Sequence, residues 1–361
     1  YLSFFLEGCI TSLPPVRELR HLRGNLVFTI PTFRFFREAA SRGLSRARAL
    51  LRRSTAMPDA EEEEDMAMEL DDDLELLLSG VDAGPSPTPA AAPSQLEVTV
   101  VDWDESPLSA DEFSRRFRHR EPVLLRGLAR SWPALEQWRH SDALGSALDA
   151  DVTCLRSHDG KRFLAADCEQ SQRPFDTVAA EILTQSCASE MYARAPLRSG
   201  LRDAVDLRVI EELMGGVNAK AACCSVWLGL AGNITPFHYD LCHGFLAGVV
   251  GSKVFTLVSP DAWRSMYPRP DRPELSRVDY EAAREGEKSE ARREELRRRP
   301  KFFDESATRC MCRVEVRPGD VLYTPPFWWH HVETAKDGPA VSVLVPFDPR
   351  ADEPTHVCHL R

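Results

Sequence analysis

The stretch TPFHYD, Thr235 to Asp240, sets an imidazole and a carboxylate two residues apart, at His238 and Asp240. Both side chains bind divalent metals. The spacing alone carries little. It recurs at His119/Glu121, His140/Asp142 and His331/Glu333, and ten histidines among 56 acidic residues give such pairs by chance. The setting separates them. In a strand, residues i and i+2 point to one face. His238 and Asp240, in a strand-like stretch, therefore present a ring nitrogen and a carboxylate oxygen side by side. His119 and His140 lie in helix-like polar segments, where i and i+2 diverge.

A third ligand has to come from elsewhere. His330 and His331 follow Trp328 and Trp329 in PFWWHHVE. Adjacent residues on a strand face opposite ways, so one histidine points inward and its neighbour points away. Trp328 shares the face of His330, and Trp329 that of His331. Upstream, RPGD puts Pro318 and Gly319 at the centre of an expected type II turn. Two histidines and one aspartate converging from strands make a facial ligand set. Such a set leaves open metal positions and suits non-haem Fe(II). A hydrogen-bonded core histidine is the competing reading of His330, and spacing does not decide between them.

The combination does more. NITPFHYD and GSKVFTLVSP, followed by RPGDVLYTPPFWWHHVE, resemble the JmjC (cupin-type) 2-oxoglutarate oxygenases. PVLLRG (122–127) and SWPALEQW (131–138) extend the likeness to the small JmjC hydroxylases, over about 98–350. The resemblance implies a double-stranded β-helix (a cupin or jelly-roll core) with flanking helices. It implies iron ligands His238, Asp240 and His330, with 2-oxoglutarate and O2 as co-substrates. It also implies that Lys253 pairs with the distal carboxylate of 2-oxoglutarate, with hydroxyls of Thr235 and Tyr192 beside it. A buried carboxylate needs such partners. This chain departs from many relatives at Gly244 and Gly248, where amide side chains are usual, and at Val345, expected near the iron. Those departures bear on tuning of the metal and on substrate choice.

The implied activity is hydroxylation of a protein or peptide side chain. Hydroxylation of a tRNA base, with RNA as partner, and histone demethylation are alternatives within the family. A non-catalytic binding module is an alternative outside it, as is a zinc or manganese cupin without a keto-acid.

The elements that must position these residues read as mainly β. Strands are expected over LEVTVVDW, PVLLRG, DVTCLRS, CCSVWLGL, NITPFHYD, FLAGVVGSKVFTLVSP, MCRVEVRPGDVLY, WWHHVET and AVSVLVPF. Ser109 with Glu112 forms an expected capping box, and FDTVAAEILTQ reads as a helix. Residues 270–300, dense in Glu and Arg, read as a solvated helical insertion. Arg297, Arg298 and Arg299 form a candidate basic patch within it.

Formal net charge is −11, unevenly placed. Residues 1–53 hold ten Arg and three Glu, an amphipathic segment that could target an organelle. Residues 54–97 hold thirteen acids and no base, then run Pro-rich, which reads as a disordered linker. Residues 351–361 read as a tail. No broad basic face for duplex nucleic acid and no apolar run of membrane-spanning length stand out. Ten scattered cysteines without a secretory signal fit cytoplasm or nucleus. Cys310-x-Cys312 could meet His356, Cys358 and His359 at a zinc ion, but the pair is closer than zinc cysteines usually are. Packed thiols are the plainer expectation.

Overall fold

The computed structural model describes residues 96–165, 167–186, 191–219, 222–304 and 309–353. The expectations for 1–53 and for most of 54–97 fall outside these residues, as do His356, Cys358 and His359.

Among the described residues, thirteen strands form two sheets. The larger has the order β1-β2-β11-β8-β13-β6-β5-β3-β4, the smaller β10-β9-β12-β7. β1 is Thr99–Asp102, β2 Val123–Arg126, β3 Asp151–Arg156, β4 Glu169–Pro174 and β5 Met191–Pro196. β6 is Ser225–Gly229, β7 Ile234–His238, β8 His243–Val250 and β9 Lys253–Val258. β10 is Met311–Val316, β11 Val321–Thr324, β12 Trp329–Thr334 and β13 Ala340–Phe347. From β5 onward the pairing is antiparallel; the one parallel pair described is β1 with β2. Strand β4, EQSQRP, is exposed along most of its length and gives no hydrophobic alternation, so the sequence does not announce it.

Three apolar clusters follow from strand alternation. The first lies outside the larger sheet. Phe245, Val321, Tyr323, Val343 and Val345 meet Phe113 of helix α1 (Ala110–Arg116) and Phe175, Val178 and Ile182 of helix α4 (Phe175–Leu183) there. Helices α2 (Ala134–Gln137) and α3 (Ser141–Ser146) come between these two in the chain, and α5 (Gly200–Asp203) and α6 (Arg208–Leu213) come after them. The Ser109 hydroxyl accepts the Glu112 backbone N–H at 3.2 Å, as the capping box requires. The second cluster lies between the sheets: Leu124 and Leu322 face Phe255, Leu257, Val316, Trp328 and Val332. The third covers the outside of the smaller sheet.

That third cluster corrects the reading of 270–300. The insertion forms two short helices, α7 (Tyr280–Ala283) and α8 (Glu290–Arg298), and a 3-10 turn at Pro300–Phe303. Val278, Ala283 and Phe302 pack against Phe237, Tyr239 and Trp329 of the sheet. Glu295 is buried, holds the Asp279 backbone N–H and pairs with Arg299. The segment is thus a cover for the sheet, and some of its charges are tied inward, Glu281 to His331 and Arg284 to Glu333 of β12. The expected basic patch is offset as well, since Arg297 and Arg298 both pair with Glu294. A cleft of about 660 Å³ lies between the insertion and residues 157–167. Its Arg162 and Arg269 are bound to Asp279 and Asp167.

Two details fix chain reversals. Gly319 takes φ +92°, and the Asp320 N–H donates to the Arg317 carbonyl at 3.0 Å, as expected of RPGD. At the other end, Glu353 is built into the domain: it receives Arg118 Nε at 2.6 Å and contacts His243 Nε2 at 2.9 Å. His243 Nδ1 in turn meets the Tyr323 hydroxyl at 2.8 Å. No described helix is long and apolar enough to cross a membrane.

Candidate metal centre

β7 and β12 are neighbours, and their register sets His238 opposite His330. The two rings lie 4.1 Å apart between centroids. Asp240 follows just beyond β7, with its Oδ2 3.9 Å from His330 Nε2. One ligand atom from each of the three lies within 4.8 Å of the others, a group that could hold a metal ion.

Both imidazoles are oriented by backbone. His238 Nδ1–H donates to the Pro236 carbonyl at 2.9 Å, and His330 Nδ1–H to the Trp328 carbonyl at 3.0 Å. A carbonyl can only accept, so each Nε2 is left as the lone-pair nitrogen. Burial, and then the adjacent His330 ring, push His238 well below its ordinary value and keep it neutral. Neutral imidazole is the metal-binding form. The donor set therefore fits a divalent ion. Both histidines are buried, while the Asp240 side chain is 21% exposed, so the centre opens on the aspartate side.

His331 points away, as alternation requires, but not to solvent. It is fully buried between Phe237 and Tyr280, at 5.4 and 4.9 Å between ring centroids. Its Nε2 meets Glu281 Oε1 of α7 at 2.5 Å. Burial opposes ionisation of Glu281, but His331 and Arg162 outweigh it and hold the carboxyl below its usual range. The cover over the smaller sheet is therefore tied to the residue next to a candidate ligand.

Lys253 and Tyr192 are brought together. Lys253 is 3% exposed, and its Nζ donates to the Tyr192 hydroxyl at 2.9 Å. Gly229 makes this approach feasible: a Cβ there would lie 2.9 Å from Tyr192 Cε2 and 3.0 Å from Thr334 Oγ1. Thr334 stands opposite Lys253 across β9 and β12. Neither Gly229 nor Thr334 carries a sequence signal of its own.

Thr235 reaches the same side by an irregularity. It lies three residues before His238, so regular alternation would turn it to the opposite face. The register shifts between His330 and Val332, and Val332 stands opposite Thr235. This bulge, at Pro236–Phe237, returns Thr235 to the inward face while Phe237 packs outward.

Val345 corrects an expectation. It sits in the helix-side cluster, because Val341, Val343, Val345 and Phe347 share that face of β13. The inward positions are Ser342, Leu344 and Pro346, opposite Gly248, Leu246 and Gly244. The two cysteines of the zinc expectation pack in different clusters, Cys310 against the insertion and Cys312 between the sheets. Burial raises both thiols, Cys312 to about 12, so both are protonated near neutral pH.

Comparison with known proteins agrees with this architecture. Residues 109–353 match the family described as a cupin-like domain. Lysine-specific demethylase JMJ30 of Arabidopsis thaliana is 28% identical over 59% of this chain and 47% of its own. Jumonji C domain-containing protein 5 of Drosophila melanogaster is 27% identical over 65% of this chain and 57% of its own. Lysine-specific demethylase 8 of Xenopus tropicalis is 24% identical over 59% and 45%. The chain spans about half the length of these curated relatives. It belongs to the cupin-like domain family.

Proposed function

We propose that the chain is an Fe(II)- and 2-oxoglutarate-dependent dioxygenase that hydroxylates a protein side chain. The observation that carries the reading is the convergence of His238, Asp240 and His330, with both Nδ1 atoms committed to carbonyls. These three residues would hold the iron and leave neighbouring positions open for the keto-acid and O2. When bound, iron with 2-oxoglutarate supplies the oxidising power that replaces a substrate hydrogen by hydroxyl. Lys253 would receive the distal carboxylate, helped by Tyr192 and Thr235. Without that anion the buried Lys253 ammonium has one hydroxyl for company, an incomplete arrangement for a charge.

The names of two relatives favour a second reading, demethylation of a lysine side chain. The products separate the two. Protein incubated with iron, 2-oxoglutarate and a captured peptide should release succinate in step with peptide modification, and Asp240→Ala should abolish it. Hydroxylation leaves the mass of one added oxygen on the peptide; demethylation removes a methyl group and releases formaldehyde. Absence of any succinate release from an iron-loaded sample across peptide and tRNA pools would favour a binding module instead.

A further inference from the structure

A second cation stands on the wall that holds Tyr192. Along β5, Met191, Ala193 and Ala195 pack in the helix-side cluster, so Tyr192 and Arg194 face the other sheet. Arg194 is opposite Trp227, and its guanidinium carbon lies 5.7 Å from that ring centroid. Trp227 stacks on Tyr192 at 5.0 Å and 24°, and Tyr192 accepts from Lys253. One continuous stack therefore runs from Lys253 to Arg194.

Arg194 is half-buried, yet among the described residues it makes no hydrogen bond and no ion pair. Arg162, Arg269, Arg284 and Arg299, by contrast, hold carboxylates. Two further inward groups lack partners. Ser342 stands opposite Trp227 on the other side, Ser225 two residues before it, and both hydroxyls are buried without a bond among the described groups. Those hydroxyls are sealed from solvent, whereas the Arg194 guanidinium is open to it on one side, and an unbonded guanidinium held on a ring calls for an anionic oxygen.

We propose that Arg194 determines specificity by binding the carboxylate of an Asp or Glu side chain in a polypeptide substrate. The inference rests on the oxygenase reading, through its charges. A divalent iron, Asp240, the two carboxylates of 2-oxoglutarate and Lys253 balance to zero. Arg194 adds a positive charge to that set, half-buried against Trp227. An acidic side chain cancels it; a methylated lysine adds a like charge and is disfavoured. Stacking on Trp227 holds the guanidinium plane, which suits bidentate pairing with a carboxylate. The substrate class thus differs from the one in the names of the demethylase relatives.

The test uses the full chain loaded with Mn(II) and 2-oxoglutarate, and two degenerate peptide pools. The pools are identical except at one fixed position, Asp or Glu in the first, Asn or Gln in the second. The wild type should retain the acidic pool about tenfold better, the scale of one charge-assisted hydrogen bond. Arg194→Gln should erase the preference and Arg194→Lys should keep part of it. Equal retention of the two pools by the wild type, or an undiminished preference in Arg194→Gln, overturns the proposal. The rise in Tm produced by 2-oxoglutarate is read on the same samples. It should persist in Arg194→Gln and vanish in Lys253→Met; its loss in Arg194→Gln would assign Arg194 to the co-substrate and overturn the proposal. If the wild type shows no such rise, the oxygenase reading fails separately, and the pool comparison without Mn(II) and 2-oxoglutarate decides on Arg194 by the same two outcomes.

Discussion

The backbone N–H of Phe327 donates to the carbonyl of Asp240 at 2.9 Å, with Phe327 itself at φ 68°. A left-handed conformation is costly for a residue with a bulky side chain, and it persists where surroundings over-determine it. Here the ring is buried beside Tyr239, and Trp328 Nε1 anchors the next residue to the Arg120 carbonyl at 3.0 Å. The chain entering β12 is thereby pinned to one ligand three residues before it delivers another. Protein contacts thus help to set the relative positions of the two candidate ligands.

Lys253 should be a residue that costs stability and serves binding. Its ammonium is buried with a single hydroxyl partner. Lys253→Met removes a charge that is expensive to desolvate, so the ligand-free protein should melt at the same temperature or higher. The stabilisation by 2-oxoglutarate, about 2.7 kcal/mol at a hundred times Kd, should disappear. Differential scanning calorimetry with and without 2-oxoglutarate measures both. A large drop in the ligand-free Tm would mean that Lys253 is structural.

Glu281 should matter beyond the insertion that carries it. Glu281→Ala strips His331, fully buried, of its partner on Nε2, while Nδ1 already has none in hydrogen-bond range. A buried polar group left unbonded costs about 1–3 kcal/mol, so the urea midpoint should fall accordingly. Because His331 is joined to His330, Mn(II) affinity should fall too, by about tenfold. Titration followed by electron paramagnetic resonance would read that loss.

Acid should loosen the packing of the chain end in two overlapping steps. Burial pushes His243 from 6.5 down to about 4, against the pull of Glu353. An unfolded chain takes up that proton first, so stability falls as pH drops from 6.5 towards 4. Burial alone would raise Glu353, but Arg118, His243 and the Arg350 N–H hold it at about 2 instead of 4.5. Its contribution is present above 4.5 and is lost towards 2. Urea midpoints taken stepwise from pH 7 to pH 3 should decline throughout. In Glu353→Gln the decline below 4.5 should flatten, and the midpoint at pH 7 should be lower.

The two glycines that depart from the family pattern should respond in opposite ways. A Cβ on Gly244 would find its nearest neighbour, Leu344 Cδ1, at 3.8 Å, an ordinary contact. Gly244→Ala should fold normally and gain up to about 1 kcal/mol from reduced chain entropy. On Gly248 a Cβ would meet the Arg317 carbonyl oxygen at 2.5 Å. Gly248→Ala must shift backbone and should lose several °C in Tm, since about 1 kcal/mol moves a domain of this size by 2–4 °C. Calorimetry on the pair checks the contrast.

Much of this was legible in residue order. Strand alternation was enough to separate His330 from His331 and Trp328 from Trp329, because a period of two survives without knowledge of partners. The turn at Pro318–Gly319 and the cap at Ser109 were legible because each is a local device with its own residue chemistry. The side of Thr235 was not, since a bulge appears only when two strands are paired. The burial of the insertion was hidden by its composition: Val278, Ala283 and Phe302 are few among many charges, and what they cover lies some 25–65 residues away in the chain. Val345 was misplaced because a resemblance supplies a neighbourhood, whereas parity along β13 decides the face. Arg194 carries no spacing signature in the sequence; only the lack of a carboxylate partner among the described residues makes it conspicuous.

The surplus residue in β7 makes length a determinant in its own right. Thr235 and His238 share a direction only because one position is unmatched between them. A one-codon deletion there would leave every side chain implicated at the centre intact and still swing the hydroxyl to the side where Phe237 packs. Among homologues, the tally of residues in this short interval should therefore be inherited as strictly as their identities.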